Sequence, residues 1–262
     1  DRAANGSLSL AEYDLIPIAT SVEGDEEMSE WIQEAKVEVE ENYLRDFDMT
    51  FDQVLTYNPY TFDSVDDVYA TAHESTLGNL LADAYRWAAE EATGQPVDVA
   101  LTASGVIRES FAEGDITVSE AFNVASLGIG ADGVPGYPLV AVYLTGADLK
   151  NAMEVDASVY PLMSAAQLFF SGVEYSFNTN RMIFNKVDYS ALRREGGVTE
   201  TIVDDQLYRV VTGLYCGQML GAVESSSFGL LTVVPRQADG TPIDMDDLED
   251  YIVHDSQGRE VK

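Results

Sequence analysis

Residues 75–103 join two patterns that only a layered fold accommodates. Leu77, Leu80, Leu81, Ala84 and Trp87 recur at helical steps, which predicts a helix over 75–92 with one apolar side. Gly94-Gln95-Pro96 stops it. The short apolar run from Val97 to Ala103 then reads as a buried strand. A helix feeding a buried strand requires a sheet with helices packed against it.

The rest of the chain repeats these patterns without strict alternation. Strands are expected at 138–145, 168–177, 181–187, 206–213 and 230–234, and helices at 146–159 and 244–254. A short helical or loop segment follows Tyr215. The fold class is therefore α+β (mixed α/β), with mixed sheets flanked by helices. Ahead of this, Tyr13-Asp14-Leu15-Ile16-Pro17-Ile18 reads as an edge strand, because proline cannot donate to a ladder. Met28, Trp31, Ile32, Ala35, Val39 and Tyr43 predict an amphipathic helix over 25–45, and Phe51, Val54 and Leu55 a strand before Asn58-Pro59.

Charge narrows the partners. The chain carries 46 acidic and 14 basic side chains, a formal net charge of −32. Such a field repels polyanions, so nucleic acid is excluded as a partner. The acidic runs Asp63-Ser64-Val65-Asp66-Asp67 and Asp244-Met245-Asp246-Asp247 lack the ligand spacing of a Ca²⁺ loop, and the acids read as a solubilising surface. No run of about 18 apolar residues exists, so no transmembrane segment is expected. The chain opens at Asp1 without a signal-like apolar run, and the small polar opening segment suggests a fragment of a longer precursor.

Several chemistries lack their residues. The chain has two histidines, His73 and His254, in no metal-binding spacing. A pair of catalytic metals needs several His, Asp and Asn ligands. Cys216, the single cysteine, has no base placed beside it by the sequence and reads as a buried structural thiol. Gly128-Ile129-Gly130-Ala131-Asp132-Gly133 matches a dinucleotide fingerprint, but Val134-Pro135-Gly136-Tyr137-Pro138 cannot open the helix that fingerprint requires. A glycine-rich loop between two strands is expected instead.

Arg108 is the candidate that stands out. The strand ending at Ala103 runs into Ser104-Gly105-Val106-Ile107 and then presents a guanidinium. Small residues such as Gly105 let a ligand approach the backbone, and a guanidinium forks onto a carboxylate or phosphate.

An ordered set of motifs extends this reading. Glu74-Ser75-Thr76-Leu77-Gly78-Asn79-Leu80-Leu81-Ala82-Asp83-Ala84, Val99 to Arg108, Val140 to Lys150, Ser171-Gly172-Val173-Glu174-Tyr175 and Leu207-Tyr208-Arg209-Val210-Val211 resemble, in order, the C-terminal domain of the 5′-nucleotidase family. The resemblance implies a substrate-recognition domain for a nucleotide or related phosphate ester. Two divalent metals would sit on an N-terminal catalytic domain missing from this chain, which itself holds no cofactor. It implies a metal-dependent phosphoester hydrolase of nucleotide catabolism as the parent, in an extracellular, periplasmic or cell-surface location. Residues 1–23 would be the end of the catalytic domain and linker, 24–65 an inter-domain helix and strand, and 66–262 the recognition domain.

The site residues implied are Arg108 for the anionic group, Gly105 in the turn, and Tyr215 as one of two rings that sandwich the base. Leu127 stands where the family places the other ring. Ala103 replaces an Asn, the Gly-Gly-Asp after Tyr215 is absent, and Thr71 replaces an arginine that some members carry. These departures keep open a non-catalytic binding or structural module with a degenerate pocket.

Overall fold

The computed structural model describes residues 5–10, 12–16, 18, 21–70, 73–130, 133, 135–159, 163–227 and 229–243. The chain divides into two compact units, Asp1–Gln53 and Val54–Lys262.

In the first unit Asp25 caps α1 (Glu26–Asn42), its carboxylate accepting from Met28 N at 2.9 Å. A 3₁₀ turn, Leu44–Phe47, follows and ends at Asp48 with φ 54°. Lys36 pairs with Asp52 at 2.7 Å, and Glu40 accepts from Phe51 N. No residue of α1 is buried. The strand expected over Tyr13–Ile18 is not formed: the described residues there are irregular, and Leu15, Ile16 and Ile18 are exposed. An edge strand needs a neighbour for its backbone groups, and this segment has none among the described residues.

The second unit contains, in order, β1 (Val54–Asn58), α2 (Val65–Ala70), α3 (Thr76–Thr93), β2 (Val99–Ala103), β3 (Gly114–Thr117), α4 (Val118–Val124), β4 (Leu139–Thr145), α5 (Gly146–Val159), β5 (Leu168–Ser171), β6 (Val173–Phe177), β7 (Val187–Arg193), β8 (Thr199–Thr201), β9 (Leu207–Gly213), α6 (Leu214–Gln218) and α7 (Leu220–Ser226). The central sheet has the order β4-β9-β2-β5, with β9 and β2 parallel and the outer pairs antiparallel. Smaller antiparallel sheets pair β1 with β3 and β6-β7-β8 in sequence.

The apolar run of β2 reflects burial on both faces, where alternation has no use. Val99, Leu101 and Val210 pack with Leu149 and Met153 of α5. Ala100 and Val211 pack with Ala89 of α3 on the opposite face. Leu77 and Leu81 of α3 meet Phe169, Ile107 and Val124. Gly78 is small because a Cβ there would lie 2.2 Å from the Phe169 ring. Ser75 caps α3, and Gly94 closes it at φ 64°.

Several acids are internal connectors rather than solvated surface. Asp63 accepts from the Ser75 hydroxyl, Thr76 N and the Thr76 hydroxyl. Burial raises its pKa, but those hydrogen bonds outweigh it and hold the carboxyl below its ordinary range. On α5, Asp148 accepts from Thr145 and Arg236, and Glu154 from the backbone of Lys186 and Val187. Asp156 accepts from Leu168 N at 2.8 Å and the Tyr175 hydroxyl at 2.5 Å. Burial pushes the Asp156 carboxyl up to about 6, against the opposing effect of both hydrogen bonds.

Three expected strands differ. The run 168–177 is two strands, broken at Gly172 (φ 88°), where a Cβ would lie 2.2 Å from Asp98 O. The segment 181–187 is mostly turn, with Arg181 N bonded to Asn178 O and Asn185 N to Met182 O, so the strand starts at Val187. Residues 230–234 are not a strand, because side chains of α5 take their backbone groups: Val234 N donates to Asp148 and Thr232 O accepts from Asn151. The helix expected over 244–254 and His254 lie outside the described residues, as does Thr71.

Candidate functional site

The site grows from the C-terminal ends of β2 and β9, which are neighbours in the central sheet. After β2 the chain makes a buried 3₁₀ turn, Ser104–Val106. Ser104 N donates to Gln167 O and its hydroxyl to Ser164 O, while Ile107 N closes onto Ser104 O. Ile107 is fully buried, and Arg108 N donates to Val124 O at 2.9 Å. An anchored backbone thus carries Arg108 out to the surface, where its side chain is exposed.

Arg108 differs from most of its fellow cations in the second unit. Arg209 is buried and donates to Gln95 O, Pro96 O and Thr93 Oγ1. Arg194 spans Asp98 and Glu200, Arg236 pairs with Asp148, and Arg193 with Glu174. Arg108 makes neither an ion pair nor a side-chain hydrogen bond among the described residues. In a chain of net charge −32, a guanidinium left without an acid is free to take an external anion.

Gly105 and Tyr215 come together. A Cβ on Gly105 would lie 2.9 Å from the Tyr215 hydroxyl and 2.9 Å from Ala165 O, so only glycine fits beside that ring. Tyr215 sits in α6, directly after β9, and is half-buried. Burial pushes its phenol up, with Cys216, Tyr69 and Tyr137 adding to the effect, so it stays protonated at neutral pH. Leu127 lines the same small pocket as Tyr215, together with Tyr85, Thr102, Val106 and Tyr137.

Tyr137 is a neighbour that the sequence reading passes over. Its ring centroid lies 5.8 Å from that of Tyr215, the planes inclined at 51°. Its ring covers Gly128, where a Cβ would fall 2.5 Å from ring carbons. Gly128 has φ +91°, and the glycine-rich loop joins α4 to β4 rather than two strands. The strand that follows, β4, confirms that this loop opens no helix.

The remaining candidates have structural settings. Burial pushes the Cys216 thiol up, which withholds the thiolate. The His73 carbonyl accepts from Gln167 Nε2 at 2.8 Å. Among the described residues no group of three or more His, Cys, Asp or Glu is placed to hold a metal ion. The described residues therefore do not fit a two-metal centre. No helix among them is long and apolar enough to cross a membrane.

Against known proteins, the profile of the 5′-nucleotidase C-terminal domain matches residues 56–222. The chain belongs to that family. It is 32% identical over 144 residues to the trifunctional nucleotide phosphoesterase protein YfkN of Bacillus subtilis (strain 168), covering 55% of this chain and 9% of that protein. It is 27% identical over 179 residues to an apyrase of Anopheles gambiae, covering 68% of this chain and 29% of the apyrase. The crystal structure of a 5′-nucleotidase precursor from Thermus thermophilus has the same fold, with a TM-score of 0.56, 22% identity, and coverage of 84% of this chain and 39% of that one. The chain thus spans less than a third of the length of both curated relatives.

Proposed function

We propose that this chain is the substrate-recognition part of a metal-dependent 5′-nucleotidase-type phosphoester hydrolase acting in nucleotide catabolism. Arg108 holds the anionic group of a nucleotide or related phosphate ester. Tyr215 stacks on its base, Gly105 leaves room for the ring, and Leu127 lines the same pocket. The two divalent metals and the bond-breaking step belong to an N-terminal catalytic domain outside this chain. Residues 1–23 and 24–65 serve as its end and connector, and 66–262 as the recognition part. An extracellular, periplasmic or cell-surface location goes with this reading.

The observation that carries the proposal is the guanidinium of Arg108, unpaired among the described residues, on an anchored turn that also brings Gly105 against Tyr215. Calorimetric titration of AMP and adenosine tests it. Arg108→Ala is expected to weaken AMP about tenfold or more and adenosine little, since a charge-assisted hydrogen bond contributes about 1.5–3 kcal/mol. Tyr215→Ala is expected to weaken both. Unchanged binding in both variants sinks the assignment.

A second reading, a binding or structural module with a degenerate pocket, draws on the aliphatic Leu127 and on the replaced Asn and Asp positions. A flat trace with nucleosides, nucleotides and sugar nucleotides favours it.

A further inference from the structure

We propose that the cavity beside the edge strand β5 binds a primary ammonium group, with Gln167 Oε1 and the carboxylates of Asp156 and Glu74 as its acceptors. The inference does not depend on the nucleotide reading, since this cavity shares no lining residue with the pocket around Tyr215.

The cavity has a volume of about 620 Å³. Residues of β5 and β6 line it, Glu74 and Asn79 reach it from the start of α3, and Asp156 from α5. Gln167, the residue before β5, also lines it and is held at several points. Its carbonyl accepts from Ser104 N at 2.9 Å, its N donates to Ser164 O at 3.2 Å, and its Nε2 donates to His73 O at 2.8 Å. A carbonyl can only accept, so the amide nitrogen must be the end that faces His73 O. The amide oxygen is left over. Gln167 is 3% exposed, and its Oε1 has no hydrogen-bond partner among the described residues. A buried carbonyl oxygen without a donor is costly, and a ligand N–H in the cavity would satisfy it.

Charge indicates which kind of N–H. Glu74, Asp156 and Glu174 line the cavity together with Arg193 and His73. Arg193 pairs with Glu174 at 2.8 Å. Both donors to Asp156, Leu168 N and the Tyr175 hydroxyl, are neutral. The Asn79 Nδ2 bond to Glu74, at 2.8 Å, is neutral too. Burial, Asp156 and Glu74 together raise the Tyr175 phenol, so both carboxylates act on one hydroxyl. Even with burial pushing its carboxyl up to about 6, Asp156 is ionised at neutral pH, a buried charge whose hydrogen-bond donors carry none. A cation in the cavity would offset that cost. An ammonium brings three N–H donors, one for each acceptor.

Aromatic surface serves the carbon chain behind that nitrogen. Phe170, Tyr175 and Phe177 all line the cavity. Tyr175 meets Phe170 edge-on with centroids 5.5 Å apart, and stacks with Phe177 at 6.3 Å. Ring faces attract an ammonium, and methylenes pack on them.

The test is calorimetric titration of the full chain with n-butylamine, protonated at neutral pH, and with n-butyltrimethylammonium. A chain of net charge −32 gathers any cation loosely, so the second probe carries the same charge without an N–H donor. Butylamine is expected to saturate one site and to bind about tenfold or more tighter than the quaternary ion, through hydrogen bonds to charged groups. Asp156→Asn is expected to weaken butylamine about tenfold, and Gln167→Met severalfold. Should Gln167→Met fail to fold by circular dichroism, Glu74→Gln, at an exposed position, gives the second readout, again a severalfold loss. Equal affinity for the two cations, butylamine binding unchanged in Asp156→Asn, or a wild type without saturable binding overturns the proposal. So does displacement of butylamine by one equivalent of Mg²⁺, which would assign the acceptors to a metal. No arm uses a nucleotide, so the outcome is separate from that of Arg108 and Tyr215.

Discussion

Helices α1 and α3 are nearly equal in length, 17 and 18 residues, and both carry an apolar stripe with a side-chain N-cap. Their surroundings are opposite. Helix α3 buries Leu77, Gly78, Leu81, Ala82 and Ala89, whereas α1 buries nothing, with Met28 and Trp31 exposed. The stripe therefore encodes the helix in both places but the partner in only one. Burial, and not periodicity, decides how much such a helix contributes to stability.

That contrast can be broken most forcefully at Leu77. Leu77→Ala should destabilise the second unit by about 2–5 kcal/mol, through lost transfer energy and the cavity left against Ile107 and Phe169. Denaturant unfolding checks it, and a loss below about 1 kcal/mol would mean that α3 is packed no better than α1.

A middle-sized effect extends the contrast to charge. Most acids of α1 are exposed and Glu40 is only half-buried, whereas Asp156 of α5 is buried. Its folded pKa of about 6 stands above the ordinary 3.8, so its contribution to stability is fully present below 3.8 and is lost as pH rises through 6. Asp156→Asn should remove that fall, gaining on the wild type by up to roughly 3 kcal/mol between about pH 4 and pH 7. Parallel stability–pH curves for the two proteins would rule the account out. The smallest effect is expected at Trp31. Trp31→Ala should change unfolding free energy by no more than about 0.5 kcal/mol, as for other exposed positions, and a larger loss would reveal a packed face on α1.

The same contrast explains what could be read from the chain. Helices α1, α3 and α5 were legible because apolar residues recur at helical steps, with a stop signal at Gly94 for α3, and β2, β4 and β9 because a two-sided interior leaves continuous apolar runs. The short elements were harder. Thr117 and Glu120 form a capping box that opens α4, a signature present in the sequence but followed by only two turns of helix. The strand expected over 230–234 failed because its hydrogen bonds go to side chains of α5, a tertiary choice with no local trace. At the site, Arg108 and Gly105 were visible as a break in an apolar run. Tyr137 was not, because its meaning depends on the hydrogen bond between Pro138 and Leu214, 76 positions apart by subtraction of their numbers. The proline and glycines around it signal a loop, and nothing local says which ring that loop approaches.

The parallel pairing of β2 with β9 carries a consequence for biosynthesis. Among the described strands β9 is the last to be made, yet it lies inside the central sheet, between β4 and β2. A ribosome must release residue 213 before that gap can be filled, so until then β4 and β2 wait with open edges. Contacts between segments so distant in the chain form slowly. This sheet therefore closes only after β9 has emerged, and during that wait the chain's net charge of −32 is its protection against neighbouring nascent chains.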